Sequence, residues 1–320
     1  MRRREFIALV SGAAAWPFPA RAQQTKVWRV GALLLGIADA ESFRAELREG
    51  LRSSGYIEGQ NLRLEFRSAE ENPALLPKLA GELVALKVDV IVALFTPCAL
   101  AAQKATHDIP IVVVAGDPVR SALVPSLAQP GGNITGVSLM AVELHGKCVE
   151  LLRDMLPSVR RIAGMFNAED PSWKPIQELV QLAAKGVGME ISPSLMVREP
   201  GEIDAAFATM KKEGAEAVVV QGSLATKNVA KIALKYGLPA ATVPRAFAEI
   251  GGLMSYGAAG PQVYRRSAAF VTKILQGGNP ANIPVEQPTQ FELVINVKTA
   301  KALGITVPQS LLTRADIIIE

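Results

Sequence analysis

Side chains able to do acid, base or nucleophilic chemistry are thinly spread along this sequence. His107 and His145 stand 38 residues apart and Cys98 and Cys148 stand 50 apart, and neither pair has the spacing of a metal site. The chain has no Gly-x-Ser-x-Gly elbow, no Gly-x-x-x-x-Gly-Lys-Ser/Thr loop, no Cys-x-x-Cys, no His-Glu-x-x-His and no Gly-x-Gly-x-x-Gly after its first strand. His107 precedes Asp108-Ile109-Pro110 where a helix ends, the place of a part-exposed histidine against terminal carbonyls, and His145 reads as a structural residue on a helix. The cysteines lie among apolar neighbours, which suits buried free thiols, with a disulfide as the alternative. Nothing here points to a metal, a cofactor or a catalytic set.

Recognition is better served. Thr96-Pro97 follows an apolar run as a helix cap with proline in the first turn, which leaves backbone N–H groups free to meet a ligand. Asp117, in Gly116-Asp117-Pro118-Val119, either closes a turn or accepts from a ligand. Asn167, with Asp170-Pro171-Ser172-Trp173 after it, and Gln221-Gly222-Ser223 close two later strands with uncharged, directional groups suited to a carboxylate or an amide. Gly36 in the first loop, Asn167, Gln221 and Ser223 are candidate contacts, and Tyr256 and Trp173 are candidate aromatic walls or simply core.

Alternating elements must position these loops. Strand-like runs at Val30–Leu35, Asn61–Arg67, Val88–Leu94 and Ile111–Val114 are separated by helical patterns at Glu41–Ser54, Leu75–Leu86 and Ala99–Thr106. The plan repeats with strands at Arg161–Asn167, Glu190–Met196, Ala217–Gln221 and Pro239–Val243, and helices at Ile176–Lys185, Ile203–Lys212 and Lys227–Lys235. Continuous apolar strands separated by helices predict an α/β fold of two doubly wound parallel-sheet lobes. The Gly-rich segments Gly131–Leu139 and Gly251–Gly257 read as crossings of a hinge, after which Phe291–Asn296 is expected to return to the first lobe and Ala315–Glu320 to supply an edge strand. The expected division is a leader over 1–22, a first lobe over 23–138 completed by part of 257–320, a second lobe over 139–256, and a return segment over 257–320. In such sheets a ligand binds beyond the carboxyl ends of the strands, so two facing lobes enclose one cleft.

Composition agrees. With 320 residues, 49% of them hydrophobic, the chain can build two ordinary cores. Its formal charge of +4 is concentrated at the start, where Arg2, Arg3, Arg4 and Arg21 oppose only Glu5; the remaining 298 residues hold 30 basic and 29 acidic side chains. A nearly neutral body without a basic stripe disfavours nucleic acid as a partner. The arginines lead into the apolar run Phe6–Trp16 and the small-x-small site Ala20-Arg21-Ala22, the layout of a cleavable export signal, with adjacent arginines fitting the twin-arginine kind. About ten apolar residues are too few for a spanning helix.

Six segments in order resemble the tryptophan/tyrosine-type solute-binding proteins of ABC transporters. They are Leu51-Arg-Ser-Ser-Gly-Tyr-Ile-Glu-Gly-Gln-Asn61, Lys87-Val-Asp-Val-Ile-Val92, Gly116-Asp-Pro-Val119, Gln129-Pro-Gly-Gly-Asn-Ile-Thr-Gly-Val-Ser138, Gly251-Gly-Leu-Met-Ser-Tyr-Gly257, and Gln287-Pro-Thr289 with Phe291-Glu-Leu-Val-Ile-Asn296. The resemblance implies a type I periplasmic binding-protein fold, a small-molecule solute captured in the periplasm by closure of two lobes, and an inner-membrane permease as partner to a monomeric receptor. Relatives that bind aromatic amino acids tend to carry an acidic residue in the loop that here reads Gln221-Gly222-Ser223, so an α-ammonium would lack its counter-ion there. The solute expected from this is apolar or aromatic with a carboxylate or amide handle. An exported enzyme and a sensory receptor are the alternatives.

Overall fold

The computed structural model describes residues 26–36 and 40–320. The leader expected over 1–22 and Ile37-Ala38-Asp39 of the first loop lie outside the described residues. Among the described residues no helix is long and apolar enough to cross a membrane.

The first sheet is built from β1 (Trp28–Leu34), β2 (Leu62–Ser68), β3 (Val90–Leu94), β4 (Ile111–Ala115) and β5 (Ile134–Ser138), all parallel, in the order β2-β1-β3-β4-β5. Every residue of β3, β4 and β5 is buried, as β-branched runs covered by helices on both faces must be. The covering helices include α1 (Ala40–Ser53), α2 (Leu76–Ala85) and α3 (Thr96–Ala105). The second sheet orders its strands β12-β11-β10-β9-β8-β6-β7. Its members are β6 (Arg161–Asn167), β7 (Glu190–Val197), β8 (Ala217–Val220), β9 (Ala240–Thr242), β10 (Met254–Ala258), β11 (Phe291–Asn296) and β12 (Ile317–Ile319). It is flanked by α4 (Ala141–Met155), α5 (Trp173–Gly186), α6 (Ile203–Lys212), α7 (Lys227–Lys235) and the short α8 (Arg245–Glu249).

Two expectations need correction. Gly131–Leu139 and Gly251–Gly257 are mostly strand, β5 and β10, and the chain crosses just after each, at 139–140 and 258–259. Phe291–Asn296 does not return to the first lobe: it is β11, antiparallel to β10 in the second sheet, with β12 as the edge strand beyond it. The element that does return is α9 (Gly260–Leu275), whose Val263, Tyr264, Phe270 and Val271 join the first lobe's core. It crosses α1 closely, because a Cβ on Gly50 would stand 2.6 Å from that of Ala268, and Phe43 meets Tyr264 edge-on at 5.6 Å. Apolar periodicity in α9 is diluted by Gln262, Arg265 and Arg266, which hides its buried stripe.

Among the described residues three chain segments therefore join the lobes, the third over residues 287–290. The first and third lie side by side: Ser138 N–H donates to the Glu286 carbonyl at 2.8 Å and Glu286 N–H to that of Gly136 at 2.9 Å. Gly136 has φ +140°, and a Cβ there would stand 2.1 Å from the Val113 carbonyl oxygen, so no other residue fits the hinge edge of this sheet.

Candidate ligand-binding site

The carboxyl ends of β3, β4, β6, β8 and β9 face one another across the gap between the lobes, where helices begin. A pocket lies there, between the two lobes. On the first lobe it is lined by Phe95, Thr96 and Gly116, and on the second by Asp170, Ser172, Ile176, Gln221, Ser223, Val243 and Pro244.

Thr96 opens α3. Its buried hydroxyl accepts from Gly116 N–H at 3.2 Å and so ties the ends of β3 and β4 together. Phe95, just before it, has φ 71° and ψ 157°, a region that glycine favours and that costs another residue about 1–3 kcal/mol. Its buried ring and a 2.7 Å bond from its N–H to the Val114 carbonyl hold it there, and the strain aims the first turn of α3 at the cleft. First-turn N–H groups have no acceptor within their own helix and carry the positive end of its dipole.

The opposite wall is a connected polar layer. Asp170, only 3% exposed, accepts at Oδ1 from the backbone N–H of Ser172 at 3.0 Å and from its hydroxyl at 2.6 Å. Ser223 Oγ lies 3.4 Å from Oδ2. Gln221 Oε1 accepts from Asn167 N–H at 2.9 Å, and the Asn167 side-chain amide donates to Ser223 at 3.3 Å. Burial raises the pKa of Asp170 above its ordinary value, against the opposing pull of hydrogen bonds from Ser172, Ser223 and Gln221. No cation pairs with it among the described residues. His145 also lines the pocket, fully buried, with its ring nitrogens facing the carbonyls of Ala141 and Val220; burial lowers its pKa, against the opposing pull of those two carbonyls.

Thr96, Gln221 and Ser223 thus line this pocket, and Asn167 supports it from behind while lining a neighbouring one. Gly36, Asp117 and Tyr256 are not on its wall. Gly36 has φ +90° and packs against the backbone of Glu70 and Glu71. Asp117 closes its turn, accepting from Val119 and Arg120 N–H at 3.1 and 3.0 Å and pairing with the Arg120 guanidinium at 3.1 Å. Tyr256 stacks on Phe291 at 6.3 Å, and Trp173 packs against the second lobe's core. His107 is exposed just beyond α3, and Cys98 and Cys148 are buried free thiols. The loop Gln221-Gly222-Ser223 carries no carboxylate of its own, but Asp170, from the loop after β6, brings one to the second-lobe wall. Because β6 and β8 are neighbours in the sheet, that loop and Gln221-Gly222-Ser223 converge. The sequence signal was Asp170-Pro171-Ser172 at a strand's carboxyl end, but only the strand order shows what it faces. No group of three or more His, Cys, Asp or Glu among the described residues could hold a metal ion.

The family model for ABC transporter substrate binding proteins matches residues 39–319. A tyrosine-binding protein of Clostridioides difficile (strain R20291) is 27% identical over 260 residues, 80% of this chain and 74% of that one. Among solved structures, a conserved domain protein from Vibrio cholerae is 29% identical, with 92% of this chain and 100% of that one covered at a TM-score of 0.84. An ABC domain from Streptococcus pneumonia in complex with L-Trp is 26% identical, with 91% and 99% covered at 0.83. With two parallel-sheet lobes, a cleft between them and a family match over nearly its whole length, the chain belongs to the ABC transporter substrate-binding proteins, solute-binding and not enzymatic components built on the type I periplasmic binding-protein fold.

Proposed function

We propose that this protein captures an α-amino acid with an apolar or aromatic side chain in the periplasm and delivers it to the inner-membrane permease of an ABC importer. The observation that carries this reading is Asp170, a buried carboxylate in the cleft wall whose partners are all neutral. A solute ammonium supplies the missing positive charge and accounts for a carboxylate kept out of water. Across the cleft, the first turn of α3 at Thr96 receives the α-carboxylate, and Phe95, Leu139, Ile176 and Val243 flank the apolar stem. Gln221 and Asn167 hold the second-lobe wall in register. Relatives described as tyrosine-binding and as an L-Trp complex support an amino acid over other small acids.

Solute bridging both walls favours the closed arrangement by the difference between its contacts in the closed and open states, with the three hinge segments absorbing the motion. The arginine-led apolar run at the start of the chain supports export, and a receptor that opens and closes freely works as a monomer. Calorimetric titration of the exported protein with L-phenylalanine, L-tyrosine, L-tryptophan and their des-amino acids tests the reading. Saturable binding of the amino acids, with the des-amino acids at least about 30-fold weaker, supports it; equal binding of both series refutes it.

A further inference from the structure

The cleft has a second compartment. It is bounded on the first lobe by Leu35, Glu71 and Pro73 and on the second by residues that include Val197, Ile203 and Leu224. Ser223 lines both compartments, and Asn167, which donates to Ser223, lines the outer one, so the two spaces are neighbours on either side of this pair. The outer walls are mainly apolar.

Its charged groups differ in how far they are already engaged. Arg198 pairs with Glu169 at 3.7 Å, and Glu199, exposed to solvent, gives its backbone N–H to the Glu202 carboxylate at 3.4 Å. The Glu71 side chain, by contrast, has no hydrogen-bond or ion-pair partner among the described residues, although it is half-buried. Its place is fixed by the backbone. Glu70 and Glu71 both adopt left-handed conformations, φ 49° and 64°, and Glu71 N–H donates to the Leu35 carbonyl at 2.8 Å. Two successive non-glycine residues in that region, anchored to the end of β1, give a stiff turn that presents Glu71 to the cleft. Burial and the neighbouring Glu70 carboxylate make the Glu71 carboxyl hold its proton more tightly than usual, as expected of an anion short of positive charge.

We propose that the outer compartment receives the far end of the solute side chain and that Glu71 selects solutes ending in a second ammonium, so that the ligand class is a diamino acid with an apolar spacer. The inference rests on the assignment of Asp170 to the α-ammonium. The two carboxylates then sit in adjoining compartments, one for each end of the solute, with apolar walls along the spacer.

Calorimetric titration with L-phenylalanine and 4-(aminomethyl)-L-phenylalanine, which differ only in the added aminomethyl group, tests it on the wild type, Glu71→Gln and Asp170→Asn. The aminomethyl compound should bind the wild type about tenfold or more tightly than phenylalanine, as a charge-assisted hydrogen bond provides. Glu71→Gln should bring that ratio close to one, and Asp170→Asn should weaken both compounds. A ratio near one in the wild type, or a preference that survives Glu71→Gln, overturns the role of Glu71 while leaving the α-amino acid reading in place if Asp170→Asn still weakens both. Binding of neither compound, with 3-phenylpropionate bound instead, overturns the Asp170 assignment and this inference with it.

Discussion

Ser172 engages one oxygen of Asp170 twice and leaves the other to Ser223, whose hydroxyl stands 3.4 Å from Oδ2. The carboxylate is thus held in orientation by Oδ1 while Oδ2 keeps most of its accepting capacity. That asymmetry positions a charged group for an outside partner without satisfying it.

Asp170→Asn separates binding from stability. The amide keeps the shape but removes the charge, so amino-acid affinity should fall by about 30-fold or more, the scale of losing one member of a buried charged pair. The ligand-free variant should melt at the same temperature as the wild type or slightly higher, since an uncompensated buried carboxylate has been removed. Titration calorimetry and thermal melts of the same preparations check both halves.

Proton release should accompany binding at pH values below the ligand-free pKa of Asp170. Burial raises the Asp170 pKa in the ligand-free fold, so its ionised form is disfavoured there. Stability associated with this group is full below the ordinary value of 3.8 and declines as pH rises through the higher native value. A bound ammonium reverses the preference. Affinity should therefore be level at high pH and fall as pH drops below the ligand-free pKa of Asp170, by up to tenfold per pH unit, and titrations in buffers of different ionisation heat should register the proton.

His145 should slope the other way. Burial lowers its pKa from 6.5, so its contribution to stability is full above 6.5 and is lost as pH falls from there toward the native value, because the unfolded chain takes up the proton first. The greatest slope for one group is about 1.4 kcal/mol per pH unit. In His145→Asn the decline below pH 6.5 should be shallower by up to that amount, measured by denaturant unfolding at several pH values.

Both thiols should be silent in the native protein. Cys98 and Cys148 are fully buried, and burial pushes the Cys148 thiol up to about 12 and that of Cys98 up as well. A thiol reagent should label neither residue in the fold and both in denaturant, and a reductant should leave the melting temperature unchanged. Labelling of fewer than two thiols in denaturant without reductant would reveal a disulfide.

The lobes were legible because their strands are short β-branched runs between helices, a pattern that survives without any tertiary information. Placement of β11 was not, because Phe291–Asn296 has the same apolar character in either sheet and only its pairing with β10 assigns it. At the site, Thr96, Gln221 and Ser223 could be found from their positions after apolar strands. Asp170 could not be singled out among the chain's carboxylates without knowing that β6 lies beside β8. Asp117 occupies an equivalent place after β4, yet its local turn and Arg120 consume its acceptors. Glu71 depends on left-handed backbone at two glutamates, which no propensity anticipates.

Helix α9 packs over strands β3, β4 and β5 and against α1, yet it follows most of the second lobe in the chain. During synthesis the side of the N-terminal sheet that α9 shares with α1 accordingly stays only partly covered until residues near 275 have emerged, long after its own strands are complete. Loss of residues from 260 onward would strip apolar cover from the half of the molecule made first. The earlier lobe therefore gains its full apolar cover only after most of the later one has been made, and a chaperone or export pathway that meets this chain half-made meets a partly bare β-sheet.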